Sequence, residues 1–411
     1  MKYLFMLIFA CSFSIIKAQN KLKPFLNNNA VAFEQDTLDT KTLEILKSHL
    51  RTVEIIGLGE QTHFDGITSV VRVPLVKYLH QQCNFTLIAF ESGFYECYKS
   101  YELARNAKNK DVVLMEGLFG IWRVKEVQPL FEYIASTYKT TNPLKFMGFD
   151  HQFSGKLSEK HFINDLKSFI EKEKIFDKKP QDYDVFFEEI KSVIRFSNYG
   201  KTYSEDKKKL INKYTQTIYQ FLDKKEGKEF GDYFWMIICK NIDTEIIHYD
   251  KGQEDLRDKV MAKNLNELRI LYPNEKIILW AASSHLAYNQ TLINYNIKDD
   301  AGIMMGDYVK KEYKDKYYFL GFTSYEGRYG KGVISFKIKT PKKEDSFEYN
   351  LTQFTEKNAF IPLNIADKEL KSTNFNANLF GNTSLQMKLF SIADGMIYIR
   401  KMTKVHTIDA K

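Results

Sequence analysis

The segment Gly57-Leu-Gly-Glu-Gln-Thr-His-Phe-Asp-Gly66 places Glu60 and His63 three residues apart in a glycine-bracketed turn, directly after the apolar run Val53–Ile56. A carboxylate beside an imidazole suits acid–base chemistry, because the imidazole titrates near neutral pH and the carboxylate can orient it. Three more apolar runs end in polar residues. Glu91 closes Thr86–Phe90, Asp150-His151 follows Leu144–Phe149, and Ser283-Ser284-His285 follows Lys276–Trp280. Ligands of open α/β sheets gather outside the carboxyl ends of the strands. The chain holds 8 histidines in all, so three at such ends form a notable concentration.

Each of these residues also has a structural reading. Glu60 can cap the following helix, His63 can be a satisfied core histidine, and Asp150-His151 and Ser283-Ser284 can be turn residues. Glu91 is harder to place this way, since a carboxylate ending Leu-Ile-Ala-Phe is partly desolvated and needs a partner. Arg72, within Ile67-Thr-Ser-Val-Val-Arg-Val-Pro-Leu-Val76, is a guanidinium among apolar residues. It calls for a bound anion or a carboxylate, with Glu60 and Glu91 as candidates. Arg257, in Asp255-Leu-Arg-Asp-Lys-Val-Met-Ala-Lys-Asn264, reads by itself as an ordinary charged helix residue. No Gly-x-Ser-x-Gly elbow, P-loop, dinucleotide fingerprint or His-Glu-x-x-His is present. Histidine and carboxylate without a serine or cysteine nucleophile point to a base that activates water.

These residues must be carried by strands separated by helices. The four apolar runs alternate with helical-length segments, such as Leu43, Leu46 and Leu50, or Val70 through Leu79, where Pro74 should start or kink the helix. This is the pattern of an α/β fold with a largely parallel sheet core. Tyr317–Phe322, Val333–Ile338 and Gly395–Arg400 are further strand candidates, and the tail from about 340 otherwise reads as lysine-rich and irregular. Residues from about 156 to 265 show helical periodicity with almost no strand signal, which predicts a helical insertion or lobe packed on the sheet domain.

Composition agrees with an ordinary globular chain: 411 residues, 44% hydrophobic, 27% charged and a formal charge of +8. Lysines lie beside acidic residues along nearly the whole chain, which fits solvated helix faces and argues against a nucleic-acid groove. Residues 1–18, with Lys2, the apolar run Tyr3–Ile16 and Ala18, read as a signal peptide. The run is shorter than the roughly 20 residues needed to span a bilayer. The expectation is therefore an exported domain over 19–411, periplasmic or secreted, with no stable membrane insertion after cleavage. Cys83, Cys97 and Cys239 remain in that domain without metal-type spacing, which excludes a disulfide framework.

Taken together, Gly59-Glu-Gln-Thr-His63, Arg72, Glu91, Gly-Phe-Asp150, Arg257-Asp-Lys-Val-Met-Ala-Lys-Asn264, Trp280-Ala-Ala-Ser-Ser-His285, Met305-Gly306 and Ala393-Asp-Gly-Met-Ile-Tyr398 resemble the erythromycin esterase family, from about residue 50 to 400. The resemblance implies an esterase with an α/β core and helical lobe. It would hydrolyse a small-molecule ester or lactone, a macrolide ring among them, without a covalent intermediate or a cofactor. It further implies that His63 is the general base and that Glu91 holds water or imidazole. Glu60 and Arg72 would orient and balance charge, and His285 and Arg257 would face the oxyanion. The sequence departs from the family's Trp-Ala-His-Asn-x-His: Ala282 and Ser283 stand where the histidine and asparagine are usual. Two other readings remain open, a divalent-metal hydrolase using Glu60, His63, Glu91 and His285 as ligands, and a periplasmic carrier of haem or another apolar ligand.

Overall fold

The computed structural model describes residues 21–34, 37–153, 155–195, 200–253, 255–294, 302–341 and 346–408. The expected signal peptide lies outside the described residues. The strands are β1 (Val31–Phe33), β2 (Ile55–Glu60), β3 (Phe85–Gly93), β4 (Lys145–Asp150), β5 (Lys276–Ala282), β6 (Ile293–Asn294), β7 (Tyr317–Tyr329), β8 (Phe336–Lys337), β9 (Asn358–Pro362), β10 (Phe375–Phe380), β11 (Thr383–Met387) and β12 (Gly395–Met402). The helices are α1 over residues 21–29, α2 (Thr40–His49), α3 (Gly66–Cys83), α4 (Phe94–Ala104), α5 (Lys110–Met115), α6 (Gln128–Thr137), α7 (Ile163–Glu173), α8 (Tyr183–Val193), α9 (Glu205–Lys224), α10 (Phe230–Glu245), α11 (Leu256–Leu271), α12 (Ser283–Leu286), α13 (Met305–Tyr313), α14 (Phe347–Phe354) and α15 (Lys368–Ser372).

Two compact units emerge. The first takes the described residues up to Phe85, Val124–Leu130 and the described residues from Lys276 onward. In it β5, β2, β7 and β12 run parallel side by side, and β9 and β1 extend the sheet antiparallel. Every residue of β2 is buried, which is why Ile55-Ile-Gly-Leu-Gly reads as an unbroken small and apolar run. A small antiparallel sheet of β10, β11 and β6 completes this unit. The second unit comprises Thr86–Arg123 and Phe131–Glu275. Here β3 and β4 pair in parallel, and Phe90, Phe131 and Phe146 meet with ring centroids 5.2–5.7 Å apart. Between β4 and β5 the described residues form helices and connecting turns, including α7 through α11.

The mostly parallel α/β architecture is the one expected from the sequence, with several local differences. Pro74 neither starts nor ends its helix: α3 begins at Gly66 and passes through it. A proline there removes one amide bond and crowds the preceding turn, and buried Val71, Val73, Leu75, Val76 and Leu79 hold the helix across it. The strand expected over Val333–Ile338 shrinks to Phe336–Lys337, and Val333 is fully exposed. The tail is not irregular. It supplies β9, β10 and β11, whose asparagines, proline and short lengths hide a strand pattern.

Candidate active site

In the first unit, β2 ends at Glu60 and α3 starts at Gly66, leaving a five-residue turn that carries His63. Glu60 is 1% exposed and His63 37%. Glu60 Oε1 lies 2.7 Å from His63 Nδ1, and Glu60 Oε2 accepts a hydrogen bond of 2.6 Å from Arg72 Nη2. Arg72 is wholly buried. It donates through Nη1 to the Leu58 carbonyl at 3.1 Å and stacks 3.8 Å above the Trp280 ring. Of the two carboxylates expected for Arg72, Glu60 is therefore the one shown. The spacing explains the contact: Arg72 lies on the face of α3 that packs against the sheet, so a buried cation meets the carboxylate at the strand end.

The turn itself is constrained. Phe64, next to His63, adopts φ +71°, a conformation that costs a non-glycine residue energy and persists where its surroundings fix it. Its carbonyl accepts from Gly330 N, and Gly66 N donates to the Thr403 carbonyl at 2.7 Å. A Cβ on Gly66 would fall 2.6 Å from the Lys404 carbonyl. Asp65, fully buried, accepts from Thr62 N at 3.1 Å. Burial, reinforced by the Glu60 charge, pushes its carboxyl well above the usual range. Gln61 accepts from Ser324 Oγ at 2.6 Å, and Ser283 Oγ donates to the Gly59 carbonyl at 2.9 Å. His285 sits half-buried in α12, right after β5. Ala282, at the end of β5, is in register with Glu60.

The second unit gathers Glu91, Asp150 and Arg257. Glu91 is not beyond the strand end: β3 runs on to Gly93, with a register shift between Phe90 and Gly93 that places Glu91 in the irregularity. Such irregularities re-aim side chains. Trp122 Nε1 donates to the Glu91 carbonyl at 3.2 Å, and Phe119 N to Ser92 Oγ at 3.1 Å, pinning this stretch. Arg257, on α11, donates from Nε and Nη2 to Asp150 Oδ2 at 3.0 and 2.6 Å, and from Nη2 to Glu91 Oε1 at 3.1 Å. Seven residues along the same helix, Asn264 Nδ2 donates to the Phe149 carbonyl at 3.0 Å, so one face of α11 is stitched to β4 and its end.

Arg257 is thus an ion-cluster residue and not an ordinary helix charge. Burial disfavours its cation, but the charges of Asp150 and Glu91 overcome this and raise its pKa. Burial likewise opposes ionisation of Asp150, and Arg257 with the Gln152 amide holds its carboxyl below the ordinary value.

The structure therefore brings Glu60, His63 and Arg72 together in one unit and Glu91 and Arg257 together in the other. Sequence reasoning left Asp150 undecided and overlooked Asp65, Trp280 and the carboxylate of Glu245. Asp65 lies inside the opening motif, and the Asp150–Arg257 pair could have been suspected from the Gly-Phe-Asp strand end and the lone arginine of α11. Among the described residues, no three His, Cys, Asp or Glu side chains converge as a metal-holding group. Cys83, Cys97 and Cys239 are free thiols.

A sequence model described as erythromycin esterase matches residues 80–402. The chain belongs to the erythromycin esterase family. The matched stretch contains Glu91, Asp150, Arg257 and His285 and begins after the turn of Glu60 and His63. The "Putative hydrolase YbfO" of Bacillus subtilis (strain 168) is 24% identical over 410 residues, covering 92% of this chain and 90% of its own. Among solved structures, a mutant of the erythromycin esterase EreC in its open conformation aligns with a TM-score of 0.69 at 17% identity, covering 93% of this chain and 100% of its own. A Bacillus cereus protein aligns with a TM-score of 0.76 at 18% identity, over 95% of this chain and 99% of its own. A succinoglycan biosynthesis protein does so with a TM-score of 0.76 at 16% identity and the same coverage. The structural neighbours speak to the fold, and membership of the family points to a hydrolase.

Proposed function

We propose that the chain hydrolyses a carboxylic ester or lactone, with His63 as the general base that activates water. One observation carries this reading: a partly exposed imidazole is held at Nδ1 by a buried carboxylate, which is itself held by a buried guanidinium. In the tautomer that donates its Nδ1 hydrogen to Glu60, Nε2 is the nitrogen that takes a proton. Water adds to the carbonyl carbon as its proton passes to Nε2, and the carbonyl electron pair moves onto oxygen. When the tetrahedral adduct collapses, the C=O re-forms and the ester C–O bond breaks. The departing alkoxide takes the proton back from the imidazolium. Ester plus water gives acid plus alcohol, and a lactone gives one hydroxy acid.

A positioned base contributes about 10²–10⁴-fold. We assign His285 to the developing oxyanion, where one donor contributes about 10²–10³-fold. Glu91 and Arg257 enter the proposal as family resemblance implies, supported by their charge-assisted pairing. Ala282 argues for a substrate other than a macrolide, because a methyl group stands in register with Glu60 where the family usually has a second histidine. Export is proposed from the leader pattern alone. N-terminal sequencing of the mature protein and fractionation of the producing cell would test it, and an intact leader in the cytoplasm would refute it. No helix among the described residues is long and apolar enough to cross a membrane.

The decisive experiment measures hydrolysis of simple esters, lactones and one macrolide by the full chain, by His63→Ala, and by both in excess chelator. Turnover that disappears in the variant and ignores the chelator supports the proposal. Undiminished turnover in His63→Ala would overturn it, and dependence on added metal would favour a metal hydrolase.

A further inference from the structure

The buried titratable groups that the catalytic reading leaves unused lie in the second unit, beyond Asp150. His151 has no exposed side-chain surface. Its Nδ1 is 3.5 Å from Asp150 Oδ1 and its Nε2 is 3.4 Å from Glu245 Oε2. Both ring nitrogens and Glu245 Oε2 lack a well-formed hydrogen bond among the described residues. The His248 ring packs against His151 with centroids 4.9 Å apart. A continuous line of groups results: Glu245, His151, Asp150, Arg257 and Glu91. Four of these groups are acidic or neutral, and the one guanidinium among them bonds Asp150 and Glu91.

Protonation decides whether that line is balanced. Burial pushes Glu245 up to about 8, with Asp150 and Glu96 adding to the shift and Arg257 opposing it. Burial pushes His151 down to about 3, against the charge of Asp150. At neutral pH the pair thus carries a single ionisable proton and no net charge, as a carboxylic acid facing a neutral imidazole. The groups that act on Glu245 come from every element around it. They are Asp150 at the end of β4, Glu96 on α4 and Arg257 on α11, while His151 lies 3.4 Å away and the Glu245 charge in turn acts on Tyr203 ahead of α9. Two of these are further carboxylates, so an ionised Glu245 would be met by more repulsion than attraction.

We propose that Glu245 and His151 hold one proton between them and so limit Arg257 to two carboxylates, making both of them positioning residues for Arg257. When the proton leaves, a third carboxylate charge competes for the guanidinium and weakens its hold on Asp150 and Glu91. The effect on turnover rests on the hydrolase reading; the shared proton does not. Glu245 is the last residue of α10, so the same event acts where α10 ends.

The test uses the purified full chain and Glu245→Gln, which keeps the shape and is permanently neutral. Infrared difference spectra between about pH 6 and about pH 10 read the carbonyl stretch of a buried protonated carboxyl. The native chain should show a component of this band that is lost with a midpoint near 8 and is missing from the variant. Asp65 can contribute a band of its own, so the native-minus-variant difference is what decides: identical bands in the two proteins at the lower pH would overturn the proposal, as would a Glu245-dependent component that does not titrate. His151→Gln is the second variant, and it should shift the midpoint; an unmoved midpoint removes His151 from the pair. If an ester substrate is found, kcat of the native chain should fall above about pH 8 and the fall should vanish in Glu245→Gln. An identical fall in both proteins would refute the positioning role. If no ester is turned over, the hydrolase reading fails while the shared proton is still judged by the urea midpoint of the native chain set against Glu245→Gln across the same pH range: a fall confined to the native chain supports it and parallel curves refute it.

Discussion

The Glu60–His63–Arg72 and Glu91–Asp150–Arg257 clusters both pair carboxylate with guanidinium, yet His63 in the first and His151 beside the second have different surroundings. In the first unit one carboxylate is matched by one guanidinium, and the imidazole beside them is 37% exposed. In the second unit one guanidinium answers two carboxylates, and the neighbouring His151 is wholly buried, with its pKa pushed down to about 3. A partly exposed imidazole is open to water, and a buried one held neutral is not. On the proposed reading, the first cluster moves a proton and the second holds charge in place. Residue type alone does not distinguish these roles; burial and the ratio of charges do.

Breaking the first cluster should have the largest effect. His63→Ala is expected to lower kcat for ester hydrolysis by about 10²–10⁴-fold with an unchanged circular dichroism spectrum, whereas His151→Gln should leave most of that activity. Comparable losses in the two variants would erase the contrast. Next in size is Arg72→Met, which strands the Glu60 carboxylate in a buried site and should cost about 3–5 kcal/mol of stability, read as a lowered urea midpoint. Arg257→Met strands two buried carboxylates, Asp150 and Glu91, and should lower the urea midpoint by a comparable amount.

The pH dependence of stability sharpens the comparison further. Glu245 has an ordinary value of 4.5 and a folded value of about 8. The stability it contributes is therefore complete below 4.5 and is lost as pH rises through about 8, on the order of a kcal/mol per pH unit. Glu245→Gln should flatten the urea midpoint over that window. His151 acts in the opposite sense, since its folded value of about 3 lies below its ordinary 6.5. Its contribution is present above 6.5 and is lost as pH falls toward 3. The smallest effect is expected for Trp280→Leu, which removes the ring under Arg72 and about 0.5–2 kcal/mol of cation–π attraction, besides the loss of packing.

Much of this was legible in the sequence because buried parallel strands leave long apolar runs, and polar residues at their ends stand out. The runs at Ile55, Thr86, Lys145 and Lys276 each became strands of the expected kind. Glu60, His63 and Arg72 were readable as a group because a buried arginine must find an anion and the turn supplies one nearby. Less legible were features set by long-range packing. Strand β9, Asn-Ala-Phe-Ile-Pro, is short and begins and ends with residues that usually avoid strands, yet all five are buried between β1 and β12. Glu245 and His151 are 94 positions apart in the chain, and neither carries a local sign that a helix end and a strand end will meet. Arg257 looked ordinary because three acidic or basic neighbours suggested solvent, while its actual partners came from β3 and from the end of β4.

The anchoring of the His63 turn by Thr403 and Lys404 bears on when the protein becomes active during its synthesis. The proposed base is translated early, but two of the backbone groups that fix its turn are added more than 330 residues later. A nascent chain that has completed β2 and α3 carries Glu60, His63 and Arg72 without that brace, so the braced geometry at His63 waits on the segment around Thr403. Trimming only a few residues around Thr403 by a protease would reach the same turn from more than 330 residues away, without touching the proposed base.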